Sequence, residues 1–433
     1  MPTTSSFAPF LSRYVDALRY RDFVRIWLGS LGGQSAYWAL IVARGMLVLE
    51  MTGSSALVGI TTFAAMAPRF VVPPLAGYLA DRFDRRNVLF GSYFFQMLTS
   101  GLLTGLAFAD LLEIWQLIVL SLANGIFRTF QMSATQSLVP NLVAREHLLN
   151  ALALNQLTLQ GSRLVGPALV APALLLVGPE AAFLVSTLFY VGSIVSISTI
   201  RTKSSGGLQR GASLRSSFSE ALRYAWSHPQ LRSLFIIIAL HCSMTMAFES
   251  MLPVFARDEL GEDKLGVTYL MMGTGGGAVV AIAAIAGLRD NVMRGRLLLV
   301  AGVISGASMF ALALSENITT AILATAAMGG SQAAFMVVGG AMVQSLAPDE
   351  MRGRIAAINQ INIGGTMAVV NLVNGFAADA IGAPNVLMIL GASFVFVMAA
   401  SLMAATLRGV YRGSITISPR PAPAAVANEP AKA

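Results

Sequence analysis

Apolar runs of about 20 residues, each ended by a short polar stretch, recur along most of the chain, and a helix crossing a bilayer needs a run of that length. Twelve such runs are predicted as membrane spans: 24–49, 54–80, 88–109, 114–138, 150–177, 181–200, 232–256, 266–288, 296–314, 318–346, 355–378 and 385–407. After the sixth, the pattern turns polar over 201–231, where Ser204-Ser205-Gly206-Gly207 leads into an amphipathic stretch through Trp226. The pattern predicts an N-terminal segment 1–23, a six-helix half 24–200, a central loop 201–231, a second six-helix half 232–407 and a Pro/Ala-rich, disordered tail 408–433. The fold class expected is an all-α membrane protein with twelve transmembrane helices in two six-helix halves.

A repeat supports this division. Gln136-Ser137-Leu138-Val139-Pro140 ends the fourth span, and Gln344-Ser345-Leu346-Ala347-Pro348 ends the tenth. Asn155-Gln156 and Asn359-Gln360 then open the next span in each half. Matching order at matching positions points to duplication, and duplicated halves around a midplane site are a common transporter architecture.

Composition agrees with a membrane protein. Hydrophobic residues make up 55% and charged residues 12%, against about 25% charged in soluble domains. The net charge of +8 is unevenly placed: of 29 Lys and Arg, 23 fall on the side carrying both termini, Arg257 and Lys264 on the other, and four inside spans. The positive-inside rule makes the first side cytoplasmic. The expectation is a multi-pass protein of the cell inner (plasma) membrane with both termini cytoplasmic, whose basic balance reflects topology and not nucleic acid. Cys242 is the single cysteine, the three histidines are scattered, and no G-x-x-x-x-G-K-[ST] loop occurs. No disulfide framework, metal site, cofactor, nucleotide fuelling or enzyme chemistry is therefore expected, and nothing requires more than one chain.

The loop after the second span reads Gly77-Tyr78-Leu79-Ala80-Asp81-Arg82-Phe83-Asp84-Arg85-Arg86-Asn87-Val88-Leu89. It resembles the cytoplasmic signature of the major facilitator superfamily, G-x-L-a-D-r-x-G-r-r-x-x-L. Asp84 stands at the usual second glycine, as in the branch of enterobactin exporters and related drug-efflux proteins. Leu222 to Pro229 and Ala347 to Arg354 are similar to that branch too. The resemblance, covering about residues 20–407, implies a major facilitator fold and makes Gly77, Asp81, Arg82, Arg85 and Arg86 a candidate cytoplasmic gate. Gly77 would permit close helix approach, and the charges would pair in one state and part in the other. The bland alternative is that the charges only stop the helix and set topology.

Charges inside spans are costly, about 2.5–3.5 kcal/mol for a midplane arginine, so Arg44, Arg69, Arg128 and Arg163 must face protein, water or an anion. Asn124, Arg128, Gln131 and Thr135 recur at i, i+4, i+7 and i+11, one face of the fourth span. Arg128-Thr129-Phe130-Gln131 resembles the superfamily's fourth-helix motif, with Met132 in place of its glycine, and the resemblance puts this face on the translocation path; a polar seam between helices is the alternative. Tyr37 and Arg44 share a face of the first span, an arrangement suited to a planar or amphipathic anion. On the fifth span Gln160 and Arg163 lead into Gly166-Pro167, which resembles an antiporter motif but has Val170 and Ala171 where that motif has glycines. Arg163 and Arg69 are read equally as lateral-gate residues or as partners of carbonyls freed by Pro167 and Pro68. His241, Thr245 and Glu249 form a polar strip on the seventh span. Glu249 is either a proton carrier or half of a salt bridge.

Four intramembrane arginines against one glutamate leave an excess of +3, so the substrate expected is anionic or zwitterionic with an apolar body. The expected function is secondary active export of a small amphipathic molecule (siderophore, metabolite or drug) by alternating access, coupled to protons, with direction taken from the resemblance. Organic-anion import, lysolipid flipping and, more distantly, a non-transporting membrane sensor are the alternatives.

Overall fold

In the computed structural model, residues 16–202, 214–262, 265–285, 291–348 and 351–413 are described, and their regular structure is helical. The protein has the expected architecture of twelve transmembrane helices in two six-helix halves. Ten spans are single helices: Arg21–Thr52, Arg85–Phe108, Ile114–Leu138, Leu148–Leu176 and Pro179–Ser198 in the first half, and Gly266–Ile285, Asn291–Ala313, Ile318–Leu346, Arg352–Ile381 and Ala383–Ser401 in the second. Seven of these, the fifth, sixth and eighth to twelfth, are long and apolar enough on their own to cross a membrane. The amphipathic stretch of the central loop forms Leu214–Ser227, with Ala221 and Ala225 buried and Trp226 exposed. Residues 203–213, 286–290 and 414–433 lie outside the described residues, as do the Ser/Gly stretch and most of the tail.

The second span, predicted as continuous over 54–80, is three pieces: Ser55–Met66, Pro68–Val71 and Pro73–Arg82. Proline lacks the N–H that would close the preceding turn, so it starts helices and interrupts them. Pro68 and Pro73 each open a new piece. The seventh span, predicted over 232–256, is also discontinuous. Pro229–His241 runs into a π turn, Cys242–Met246, then a non-helical stretch before Leu252–Asp258. Non-helical backbone at membrane depth is tolerated only where protein satisfies it. Here Gln332 Nε2 donates to the Thr245 carbonyl, Asn374 Nδ2 to the Ala247 carbonyl, and the Ser250 N–H donates to Asn371 Oδ1. The twelfth span stops at Ser401, short of the predicted 407, and Ala405–Tyr411 is a separate helix.

Within the first half the first span packs on the fifth and sixth; within the second, the tenth packs on both the eighth and the ninth. The halves meet along two seams, second span against eleventh and fifth against eighth. On the second–eleventh seam a Cβ at Gly59 would sit 3.1 Å from the Asn371 carbonyl, and one at Gly375 would sit 2.6 Å from that of Ser55. The backbones touch there because neither residue has a side chain. One turn further out, Asp379 accepts from Ser54 Oγ at 2.7 Å and from the Ser55 and Ala56 N–H groups at 2.7 and 3.0 Å. A carboxylate from one half thus caps a helix of the other at the end away from the basic loops, called the far end below.

Candidate substrate cavity

Tyr37, midway along the first span and 1% exposed, is the hub. The Arg128 guanidinium lies over its ring with Cζ 3.3 Å from the centroid. Arg69 Nη2 donates to its hydroxyl at 3.1 Å. Arg128 Nη2 also donates to Gln34 Oε1 at 2.7 Å, and Gln34 is three residues from Tyr37 on the same face. Cation–π contact holds each guanidinium to the ring, but two cations on one ring repel. Among the described residues no carboxylate pairs with either, and Arg128 Nε and Nη1 and Arg69 Nε are buried without a hydrogen-bond partner. Guanidinium forks left in this way match the paired oxygens of an acid.

On the basic side of this cluster lies a recess of about 50 Å³, walled by the first half and by Gln360 of the second. Gln34, Gln131, Thr135, Gln156 and Gln360 are among its walls. Gln131 Oε1 and Thr135 Oγ1 are buried without partners. In this state its volume is well below the about 300–1,000 Å³ of small-molecule sites.

The remaining predicted residues divide. Arg163 does not serve the carbonyls near Pro167: its Nη2 stands 3.4 Å from Glu249 Oε1, and its Cζ lies 4.3 Å over the Trp38 ring. This ion pair joins the fifth span to the non-helical part of the seventh, so it bridges the halves. Glu249 is half of a salt bridge in this state, with Oε2 unpartnered. Gln160 is half-buried one turn toward the basic end, and Gly166 packs on the Ser35 backbone, where a Cβ would sit 2.5 Å from its carbonyl.

The other predicted residues make the following contacts in this state. Asn124 shares the helix face of Arg128 but donates to Thr99 of the third span at 3.2 Å, so that part of the stripe is a helix–helix seam. Tyr37 stacks with Arg128 and Arg44 bonds its own turn at Leu40 O, 3.0 Å away, and both line one small cavity on their shared face. His241 turns into the core of the second half: its Nε2 is 3.2 Å from Ser305 Oγ, and its ring stacks on Phe335 at 4.0 Å. Thr245 is likewise inward, donating to His241 O. A Cβ at Gly77 would meet nothing within 4 Å in this state. Arg85 donates to Ser137 O and Arg86 to Ser198 O, carbonyls at the ends of the fourth and sixth spans in the same half. Arg82 is exposed. The Asp81 side chain lies outside the described residues.

Sequence reasoning missed Gln34, Trp38, Gln332 and Asn374. The first two sit beside Tyr37 at helical spacing and were findable; the amides reveal their purpose only once the seventh span is seen to break.

The major facilitator family described as transmembrane secretion effector matches residues 4–425. The chain belongs to this family. Its relatives are transporters. The multidrug efflux pump Tap of Mycolicibacterium fortuitum is 23% identical over 327 residues, 73% of this chain and 80% of that protein. Macrolide efflux protein A of Streptococcus pyogenes is 21% identical over 373 residues, 83% of this chain and 90% of that one. The crystal structure of the nucleoside transporter NupG superposes with a TM-score of 0.70 at 12% identity, covering 88% of this chain and 98% of that chain. The protein is accordingly a multi-pass membrane transporter with the major facilitator fold.

Proposed function

We propose that this secretion effector exports a small amphipathic anion or zwitterion across the inner membrane by alternating access, driven by the proton gradient. One observation carries the reading: Arg69 and Arg128 converge on Tyr37 above a polar recess, with guanidinium nitrogens unpartnered. The direction rests on the efflux relatives, and the cytoplasmic placement of both termini on the Lys/Arg asymmetry. With that placement, this state is inward-facing, sealed at the far end by Asp379 and the Gly59–Gly375 contact. Glu249 is the proton-coupling residue, because a proton on it would release Arg163 and the bridge between halves. The working unit is a single chain.

Lysolipid flipping is the second reading, favoured by Arg69 lying on the second span next to Phe70, which is 60% exposed.

The test is purified protein in liposomes under an imposed pH gradient, followed with a pH-sensitive dye. Anionic amphiphiles such as catecholate or carboxylate siderophores are compared with a macrolide and with cationic dyes of similar size. Proton flux triggered by the anions is expected. Flux with only the cations or macrolide would sink the anion reading, and silence with all, alongside scrambling of a labelled lysolipid, would favour the flippase.

Alternating access makes a separate demand on the far end. Asp379→Ala removes a cap worth about 1 kcal/mol, so the outward-open population is expected to rise about fivefold. Spin labels at the far ends of the second and eleventh spans read that shift; an unchanged distance distribution would mean the carboxylate does not hold the seal.

A further inference from the structure

Arg44 is the intramembrane arginine that the cavity just described does not use. It lies seven residues beyond Tyr37 toward the far end, about 10 Å along the helix, and is 4% exposed. Its Nε is satisfied by Leu40 O, but Nη1 and Nη2 are buried with no hydrogen-bond partner among the described residues. Both belong to a second small cavity, between the first and second spans, walled by Tyr37, Ile41, Thr61, Thr62 and Met66. No acidic residue lines it.

A full positive charge with two bare donors in such a place costs several kcal/mol unless a counter-charge is supplied. The free space beside it is about that of one water molecule. A carboxylate or phosphate attached to a drug-sized body does not fit in this state, whereas a single monatomic anion does. The Thr61 hydroxyl donates to Leu57 O, so the guanidinium and Thr62 are the donors, and with apolar Ile41 and Met66 around them they suit a halide.

We propose that Arg44 holds a chloride ion between the first and second spans, at a site that borders Tyr37 but lies outside the recess. The inference goes beyond the export reading and does not depend on which molecule is exported. The ion neutralises Arg44 while the far end is shut, so chloride favours the state described here.

The experiment measures thermal unfolding of the purified full chain by tryptophan fluorescence, replacing gluconate with chloride at constant ionic strength. A saturable rise in Tm of about 2–4 °C is expected for the wild type. Arg44→Gln should lose the chloride-dependent increment, Arg44→Lys should keep part of it, and Arg128→Gln should keep all of it. A wild type indifferent to chloride, or an Arg44→Gln protein with the full increment, overturns the assignment. An organic anion that competes the increment away in both wild type and Arg128→Gln would also overturn it, by giving Arg44 to the substrate's own acid. If instead no organic anion is exported while the chloride increment persists, the export reading fails and this site stands.

Discussion

Replacing Glu249 by glutamine is expected to lower proton-driven transport by about 100-fold or more while substrate binding to the recess persists. The carboxylate is fully buried and Arg163 nearly so, and the two stand 3.4 Å apart across the halves. Removing one partner of such a pair leaves the other charge uncompensated, at a cost of about 3–5 kcal/mol, so Glu249→Gln alone confounds coupling with stability. The double variant Glu249→Gln with Arg163→Gln separates them. Its stability loss should fall below the sum of the single losses, because the neighbours interact, yet its transport should stay down if the proton acts at Glu249. Recovery of pH-dependent transport in the double variant would show that the pair is only a structural tie. Initial rates against imposed pH gradient, with Tm measured in parallel, decide between the two.

The second large effect belongs to Arg128. A hydrogen bond to a charged group contributes about 1.5–3 kcal/mol, and each 1.4 kcal/mol is tenfold. Arg128→Gln is therefore expected to weaken an anionic substrate by about 10- to 100-fold. Cationic amphiphiles should be unaffected or favoured, since one of two cations beside Tyr37 is gone. Arg128→Glu should go further and put a carboxylate against the ring that now binds a cation, abolishing response to anions. Transport KM for one anion and one cation in each variant gives the answer. Equal loss for both charges would mean that Arg128 supports the helix packing through Gln34 and does not read the ligand.

The span pattern, the split into halves and several helix ends were legible in the sequence; Ile114–Leu138 and Ile318–Leu346 match the predicted fourth and tenth spans at both ends. The breaks were not. In the second span the warning was local, since Pro68 and Pro73 stand inside the apolar run, but counting apolar residues ignores helix geometry. In the seventh span the cause is tertiary: Gln332 and Asn374 bind the carbonyls that the broken backbone exposes, and both lie far along the chain. The Arg128 face was legible through helical period, yet a face covering eleven residues extends about 16 Å. Asn124 at one end therefore meets the third span, while Thr135 at the other meets the recess. His241 was misplaced because periodicity gives a side without naming the neighbour on it.

The three-piece second span bears on the order of events in a transport cycle. A continuous helix transmits tilt from end to end, whereas proline breaks uncouple the parts on either side. Ser55–Met66 is fastened to the eleventh span by Gly59 and the Asp379 cap, and Pro73–Arg82 lies beyond two breaks toward the basic loops. The proposed reading then expects the mouth at the basic end to shut before the far end lets go. On the proposed alternating-access reading, a time-resolved distance measured at each mouth is expected to change in two kinetic phases.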